Sequence, residues 1–161
     1  MLAACARSQN LAFHSRADTA KSPARSQCFH PRKAGAYEVA PSEGKPAKVS
    51  IFASGSEVSI ALGARSILAE SGIDARVVSV PCMDLFLKQD QTKRREIIGD
   101  APIRVAVEAA VRQGWDEIIG EDGIFVGMTG FGASAPYRDL YNRFRITSEA
   151  VAEAVRLRCN N

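Results

Sequence analysis

Short, continuous apolar runs recur along the chain from residue 36 onward. They lie at 49–53, 75–80, 104–108 and 124–128, and a weaker run at 35–39 can form a short edge strand. Each is only about five residues long and is bounded by glycine, proline or charged residues. Runs of this length and composition predict strands that are buried on both faces, as in a parallel sheet.

Amphipathic stretches separate these runs. Residues 56–70 have a wide apolar stripe and end at Ser71-Gly72, a helix stop in which glycine tolerates the left-handed conformation. About 20 residues after Pro81 have helical character. The last helix is predicted over 148–158, with Thr147 as N-cap and Glu149 in the first turn. Strands that alternate with helical connections indicate an α/β sheet with helices on both faces.

The first of these strands is followed by a glycine turn, Ser54-Gly55-Ser56-Glu57. The turn has neither the G-x-G-x-x-G spacing of a dinucleotide site nor the G-K-[ST] of a P-loop. It matches an S-x-x-E capping box, in which Ser54 accepts from the N–H of residue 57 and Glu57 reaches back to Ser54. These contacts would use donors that a phosphate needs, and Glu57 would repel it. The turn is therefore interpreted as structural.

Charge is distributed unevenly. The 161 residues are 46% hydrophobic and 24% charged with a net charge of +3, too little to indicate nucleic-acid binding. Six bases and one acid lie within residues 1–35, so the basic character belongs to this leader. Its composition is that of a loosely ordered leader or, as a second possibility, an organelle transit peptide. No apolar run reaches the roughly 20 residues that a transmembrane helix needs.

Cysteine and histidine usage excludes several chemistries. The four cysteines, Cys5, Cys28, Cys82 and Cys159, form no C-x-x-C pair, which favours free thiols in a reducing compartment. Cys82, after a predicted strand, is expected to be buried or half-buried. The two histidines, His14 and His30, both lie in the leader, so neither a metal site nor a cysteine or serine hydrolase is expected.

Polar side chains follow several of the predicted strands. Ser54, Ser56, Glu108 and Thr129 all fall at carboxyl ends, the edge of a parallel sheet where ligands bind. Two interpretations remain open for these four residues. They form either a small-molecule site or a hydrogen-bonded network that joins loops, and the network is favoured.

Five segments in order resemble the C-terminal domain of transketolases. They are GAYEV (35–39), ASGSEVSIALGA (53–64), RVAVEAAVRQGW (104–115), GMTGFGASAP (127–136) and RITSEAVAEAV (145–155). The string FGASAP separates transketolases from relatives that share the fold. The resemblance implies an α/β three-layer domain over 35–161. Its sheet is mostly parallel and five-stranded, with one antiparallel edge strand and helices on both faces.

The leader carries a fainter resemblance. ARSQNLAF (6–13) is similar to the S-R-Q-N-L-P segment that closes the middle domain of the family, so residues 1–34 can be the end of that domain plus a linker. In the family the arginine of this segment helps to hold the sugar-phosphate substrate. Arg7 stands one position out of that register, and Ala12 replaces the proline.

The resemblance also implies a function for the whole enzyme. Transketolases move two-carbon ketol units between sugar phosphates in the pentose phosphate pathway, using thiamine diphosphate and Mg²⁺ held by other domains. No catalytic, cofactor-binding or metal-binding residue is therefore expected on this chain, and its expected partners are the remaining domains or a homodimer partner in the cytoplasm. Two alternatives stay open: a free-standing module that binds a small anion or nucleotide, and the C-terminal half of a split transketolase.

Overall fold

The computed structural model describes residues 34–43 and 46–160. The strands are β1 (Tyr37–Ala40), β2 (Val49–Ala53), β3 (Ala75–Ser79), β4 (Ile103–Glu108) and β5 (Ile124–Gly127). The helices are α1 (Glu57–Glu70), α2 (Met83–Leu87), α3 (Gln91–Ile98), α4 (Asp116–Ile119), α5 (Tyr137–Arg143) and α6 (Ser148–Cys159). The expectations about the leader, including Arg7, His14, His30, Cys5 and Cys28, lie outside the described residues.

The five strands form one sheet in the order β1-β3-β2-β4-β5. β1 runs antiparallel to β3, and the other neighbours are parallel. Val49 of β2 lies opposite Ala75 of β3 on one side and Ile103 of β4 on the other, so the first residues of these three strands are aligned. The predicted fold class, a mostly parallel five-stranded sheet with one antiparallel edge strand, is confirmed.

Strand β2 divides the core into two halves. All five of its residues are buried, and its side chains alternate between the two faces of the sheet. Val49 and Ile51 pack in a cluster with α1 and α6, whereas Phe52 packs with Phe86 and Trp115 on the face covered by α2 and α4. The sheet therefore lies between two helical layers, as the continuous apolar strands predict.

The helix ends follow local rules in most places. Thr147 accepts a hydrogen bond from the N–H of Ala150 at 3.2 Å, which confirms the predicted N-cap of α6. The predicted helical stretch after Pro81 forms the two helices α2 and α3, and Asp90 caps α3 by accepting from the N–H of Lys93 at 2.9 Å. Among the described helices, none is long and apolar enough to cross a bilayer.

The prediction for Cys82 is wrong. Its side chain is exposed, because the chain has already left the sheet at this point and Cys82 is the N-cap residue of α2.

Gly35 packs closely against the backbone at the start of α2. The N–H of Cys82 donates to the carbonyl of Gly35 at 3.1 Å. Gly35 has φ of +77°, and a Cβ there would lie 2.4 Å from the Cys82 carbonyl oxygen. Only glycine fits this close backbone approach.

Gly35→Ala is expected to destabilise the domain by at least about 2 kcal/mol, because left-handed strain and a backbone clash add. Gly72→Ala is the matched control. Gly72 has a similar φ of +71° with nothing within 4 Å of an added Cβ, so it should cost only about 1 kcal/mol. Urea unfolding of the full chain measures both losses, and equal losses would contradict the close approach at Gly35.

Candidate functional site

The carboxyl ends of β2 and β4 meet at one edge of the sheet. Ser54 directly follows β2, and Glu108 is the last residue of the neighbouring β4. The Ser54 hydroxyl donates to Oε2 of Glu108 at 2.6 Å. The N–H of Glu57 donates to the backbone carbonyl of Ser54 at 3.0 Å and not to its hydroxyl, so the predicted capping box is wrong. The helix starts after Ser56, which makes no side-chain cap.

Glu57, the first residue of α1, has its carboxylate turned into the protein and is only 4% exposed. The Ser56 hydroxyl lies 3.2 Å from both carboxylate oxygens, and the Tyr141 hydroxyl donates to Oε1. Ser56 and Tyr141 are themselves 3.3 Å apart. Two hydroxyls therefore hold a buried carboxylate at a helix N-terminus, where the helix dipole also favours negative charge.

The environment of Glu108 includes the charge of Glu57. Burial raises the pKa of Glu108, the hydrogen bond from Ser54 partly opposes this rise, and the charge of Glu57 adds to it. The pKa of Tyr141 is also raised, chiefly because its hydroxyl is hydrogen-bonded to Glu57. Among the described residues, no lysine or arginine forms an ion pair with either glutamate.

Arg112, the arginine of the 104–115 segment, makes its hydrogen bonds away from the two glutamates. Its guanidinium donates to Asp116 at 2.7 Å and to the carbonyls of Gly120, Glu121 and Gly123 at 3.0–3.1 Å. This set of bonds fixes the loop between α4 and β5. The group is therefore already engaged and does not serve as an anion-binding cation at the carboxyl edge.

The four residues predicted from strand ends do not form one cluster. Ser54 and Glu108 are bonded to each other, and Ser56 belongs to the separate Glu57–Tyr141 group. Thr129 is exposed and lines an open cleft of about 460 Å³ with Val111 and Met128. Within the described ranges it makes no hydrogen bond to the other three. Whether these residues bind a ligand stays a prediction.

The sequence-based reasoning missed one member of this site and misassigned another. Tyr141 lies 84 residues from Glu57, and nothing in its local sequence indicates the contact. Glu57 was assigned to a cap because a capping box is a local pattern, whereas its observed partner is supplied by tertiary structure.

Thiamine diphosphate and its metal do not fit this edge of the sheet. Two carboxylates that have no basic partner among the described residues repel a diphosphate, and their hydroxyl donors are already used. In the part of the chain that the structure describes, no group of three or more His, Cys, Asp or Glu residues is placed to hold a metal ion. No chemical step through the cofactor follows from these residues.

The domain is a three-layer α/β domain. Its mixed five-stranded sheet is covered by helices on both faces, and side chains at the strand ends are hydrogen-bonded to one another. Residues 35–147 match the family model of the transketolase-like C-terminal domain. The chain belongs to this family.

Three relatives give the extent of the similarity. A transketolase of Rhodobacter capsulatus is 52% identical over 128 residues, which are 76% of this chain and 19% of that protein. The structure of transketolase from Leishmania mexicana has a TM-score of 0.70 and 40% identity, covering 78% of this chain and 18% of that one. A split-gene transketolase, described as an inactive beta4 tetramer, shares the fold at 22% identity and a TM-score of 0.59, covering 74% and 41%. The chain spans about a fifth of the length of the first two relatives.

Tyr141→Phe is expected to lower the free energy of unfolding by about 1–3 kcal/mol, because the buried Glu57 carboxylate loses a hydrogen-bond donor. Tyr137→Phe is the control: its hydroxyl accepts from Arg138 at the surface and should matter by less than about 0.5 kcal/mol. Urea titration compares the two variants. Similar small losses would show that the Tyr141–Glu57 bond contributes little.

Glu108→Gln is expected to flatten the pH dependence of stability. A carboxyl whose pKa is raised by folding binds more protons in the folded state, so its contribution is complete below the ordinary glutamate pKa and is lost as pH rises through the folded pKa. Melting temperatures between pH 4 and 8 should therefore decline less in Glu108→Gln than in the unmodified chain. Glu121→Gln, at an exposed loop position, should keep the original slope.

Proposed function

We propose that this chain serves as the C-terminal domain of a transketolase and has a structural or assembly role rather than a catalytic site of its own. The observation that carries the proposal is the chemistry of the carboxyl edge. The sites at which a parallel sheet ordinarily binds ligands hold two carboxylates, and their hydroxyl partners are bonded within the domain. Such an edge suits neither sugar phosphates nor a diphosphate cofactor.

The reaction of the assembled enzyme is part of the same proposal. Two-carbon ketol transfer between sugar phosphates, with thiamine diphosphate and Mg²⁺, would take place on the remaining four-fifths of a transketolase. The identity of the relatives as transketolases, and the share of their length that the chain matches, support this assignment. The pentose phosphate pathway, a homodimeric enzyme and a cytoplasmic location are further expectations of the family resemblance.

Two other functions are alternatives to this proposal. A module that binds a small anion or nucleotide is disfavoured by the charges of Glu57 and Glu108, and a rise of several degrees in melting temperature with ATP or ribose 5-phosphate would favour it. A split enzyme differs only in that its other domains form a separate chain. The similarity to the split-gene structure supports the fold and does not choose between these arrangements.

A chimera tests the proposed function. Residues 35–160 of this chain replace the matched C-terminal segment of the Rhodobacter capsulatus transketolase, and activity is measured with xylulose 5-phosphate, ribose 5-phosphate, thiamine diphosphate and Mg²⁺. We expect the chimera to fold and to turn over substrate, because 52% identity preserves the packing of the domain.

The full chain alone should show no turnover above background under the same conditions. A chimera that fails to assemble, or a catalytically active isolated chain, would overturn the proposed function.

A further inference from the structure

An uncharged, exposed segment lies beside the bonded glutamates. Residues 124–137 include no charged residue, and residues 129–139 are all exposed. Phe131 is fully exposed, with a relative accessibility of 101%. A fully exposed aromatic side chain within an uncharged segment is typical of an interaction site, since interface centres are rich in aromatic residues and poor in charged ones.

Further apolar side chains follow the same two strands. Val111 and Tyr137 are large exposed hydrophobic residues, and Met128 lines the open cleft that Val111 also borders. The N–H of Met128 donates to the carbonyl of Ala110 at 2.9 Å, which joins the segments that follow β4 and β5. We call Val111, Met128, Phe131 and Tyr137 the carboxyl-edge patch.

The segment that includes Phe131 is held at both ends. Its start is fixed by the Met128–Ala110 bond, and its end continues into α5, which Tyr141 attaches to Glu57 and Ser56. The group formed by Ser56, Glu57 and Tyr141, which we call the glutamate cluster, thus positions the loop that presents Phe131. Fixing a loop before association lowers the entropy cost of binding.

The position at which the chain enters the domain indicates the partner. β1 starts at Tyr37 opposite Ser79, the last residue of β3, so the polypeptide enters at the carboxyl edge of the sheet. In a C-terminal domain, the rest of a transketolase is attached at this point. The patch lies on the same edge, four strand spacings of about 4.8 Å away, or about 20 Å, which is less than the width of one domain.

We propose that the carboxyl-edge patch is the surface on which the preceding transketolase domains dock, with Phe131 as the central anchor. This inference rests on the proposed function and specifies where the assembly contact lies. The preceding domains are the expected partner because the chain enters the domain at the carboxyl edge of the sheet, where the patch also lies. The four-fifths of the relatives' length that this chain does not match would be a partner large enough to cover both the patch and the point where the chain enters the domain.

The test uses the chimera and the full chain side by side. In both, Phe131→Ser is combined with Val111→Ser, and Leu157→Gln is the control because Leu157 is an exposed hydrophobic residue of α6, outside the patch. In the isolated chain the double substitution should leave the melting temperature within about one degree, since the two side chains are exposed.

In the chimera the double substitution is expected to lower the melting temperature of the C-terminal domain by several degrees and to raise protease cleavage near residue 34 several-fold. Leu157→Gln should change neither readout. A well-assembled chimera that is indifferent to the double substitution would overturn this inference and leave the proposed function standing. A chimera that does not assemble overturns both.

Light scattering of the isolated chain tests whether the patch instead binds a second copy of the chain. The chain is expected to be monomeric at micromolar concentration, because its partner is absent. If it is instead a dimer that the double substitution dissociates, the patch belongs to a second copy of the chain, and the assignment to the preceding domains is wrong.

Discussion

The burial of β2 on both faces is the constraint on which the rest of the domain depends. Every residue of this strand is excluded from water, so its neighbours β3 and β4 must pair in register and helices must cover both sides. A parallel neighbour cannot be reached by a tight turn, and each connection must therefore cross the sheet as a helix. The layered architecture and the polar carboxyl edge both follow from this one central strand.

The carboxyl edge is held together by hydroxyl groups instead of ion pairs. A buried carboxylate is costly unless its oxygens are hydrogen-bonded, and the buried Glu57 receives hydrogen bonds from Ser56 and Tyr141. Glu108 is only partly buried and receives one hydrogen bond from Ser54, so the rise in its pKa caused by burial is only partly offset. These contacts explain how an acidic edge persists without basic partners, and why it is unsuited to anions.

The same contacts join elements that the sheet alone does not fix. α5 has no buried residue, so its attachment depends on partly buried side chains such as Tyr141 rather than on a large apolar face. The glutamate cluster therefore connects the core to the exposed loop before α5. In the proposed assembly, the polar side chains at the strand ends keep this loop in place, and the apolar side chains beside them make the contact.

The sheet could be predicted from local sequence, because apolar runs and their helical connections are short-range patterns that tertiary packing did not override. The bounds of β2, the N-cap Thr147 and the stop at Gly72 could all be predicted. The partners of the strand-end side chains could not, since they are set by the fold. A capping box and the alternative Ser54–Glu108 bond have the same local sequence, and the choice depends on a strand 54 residues away and on Tyr141, 84 residues from Glu57. Short-range sequence patterns predict the backbone conformation, whereas a side-chain hydrogen bond forms with whichever partner the fold brings within hydrogen-bonding distance.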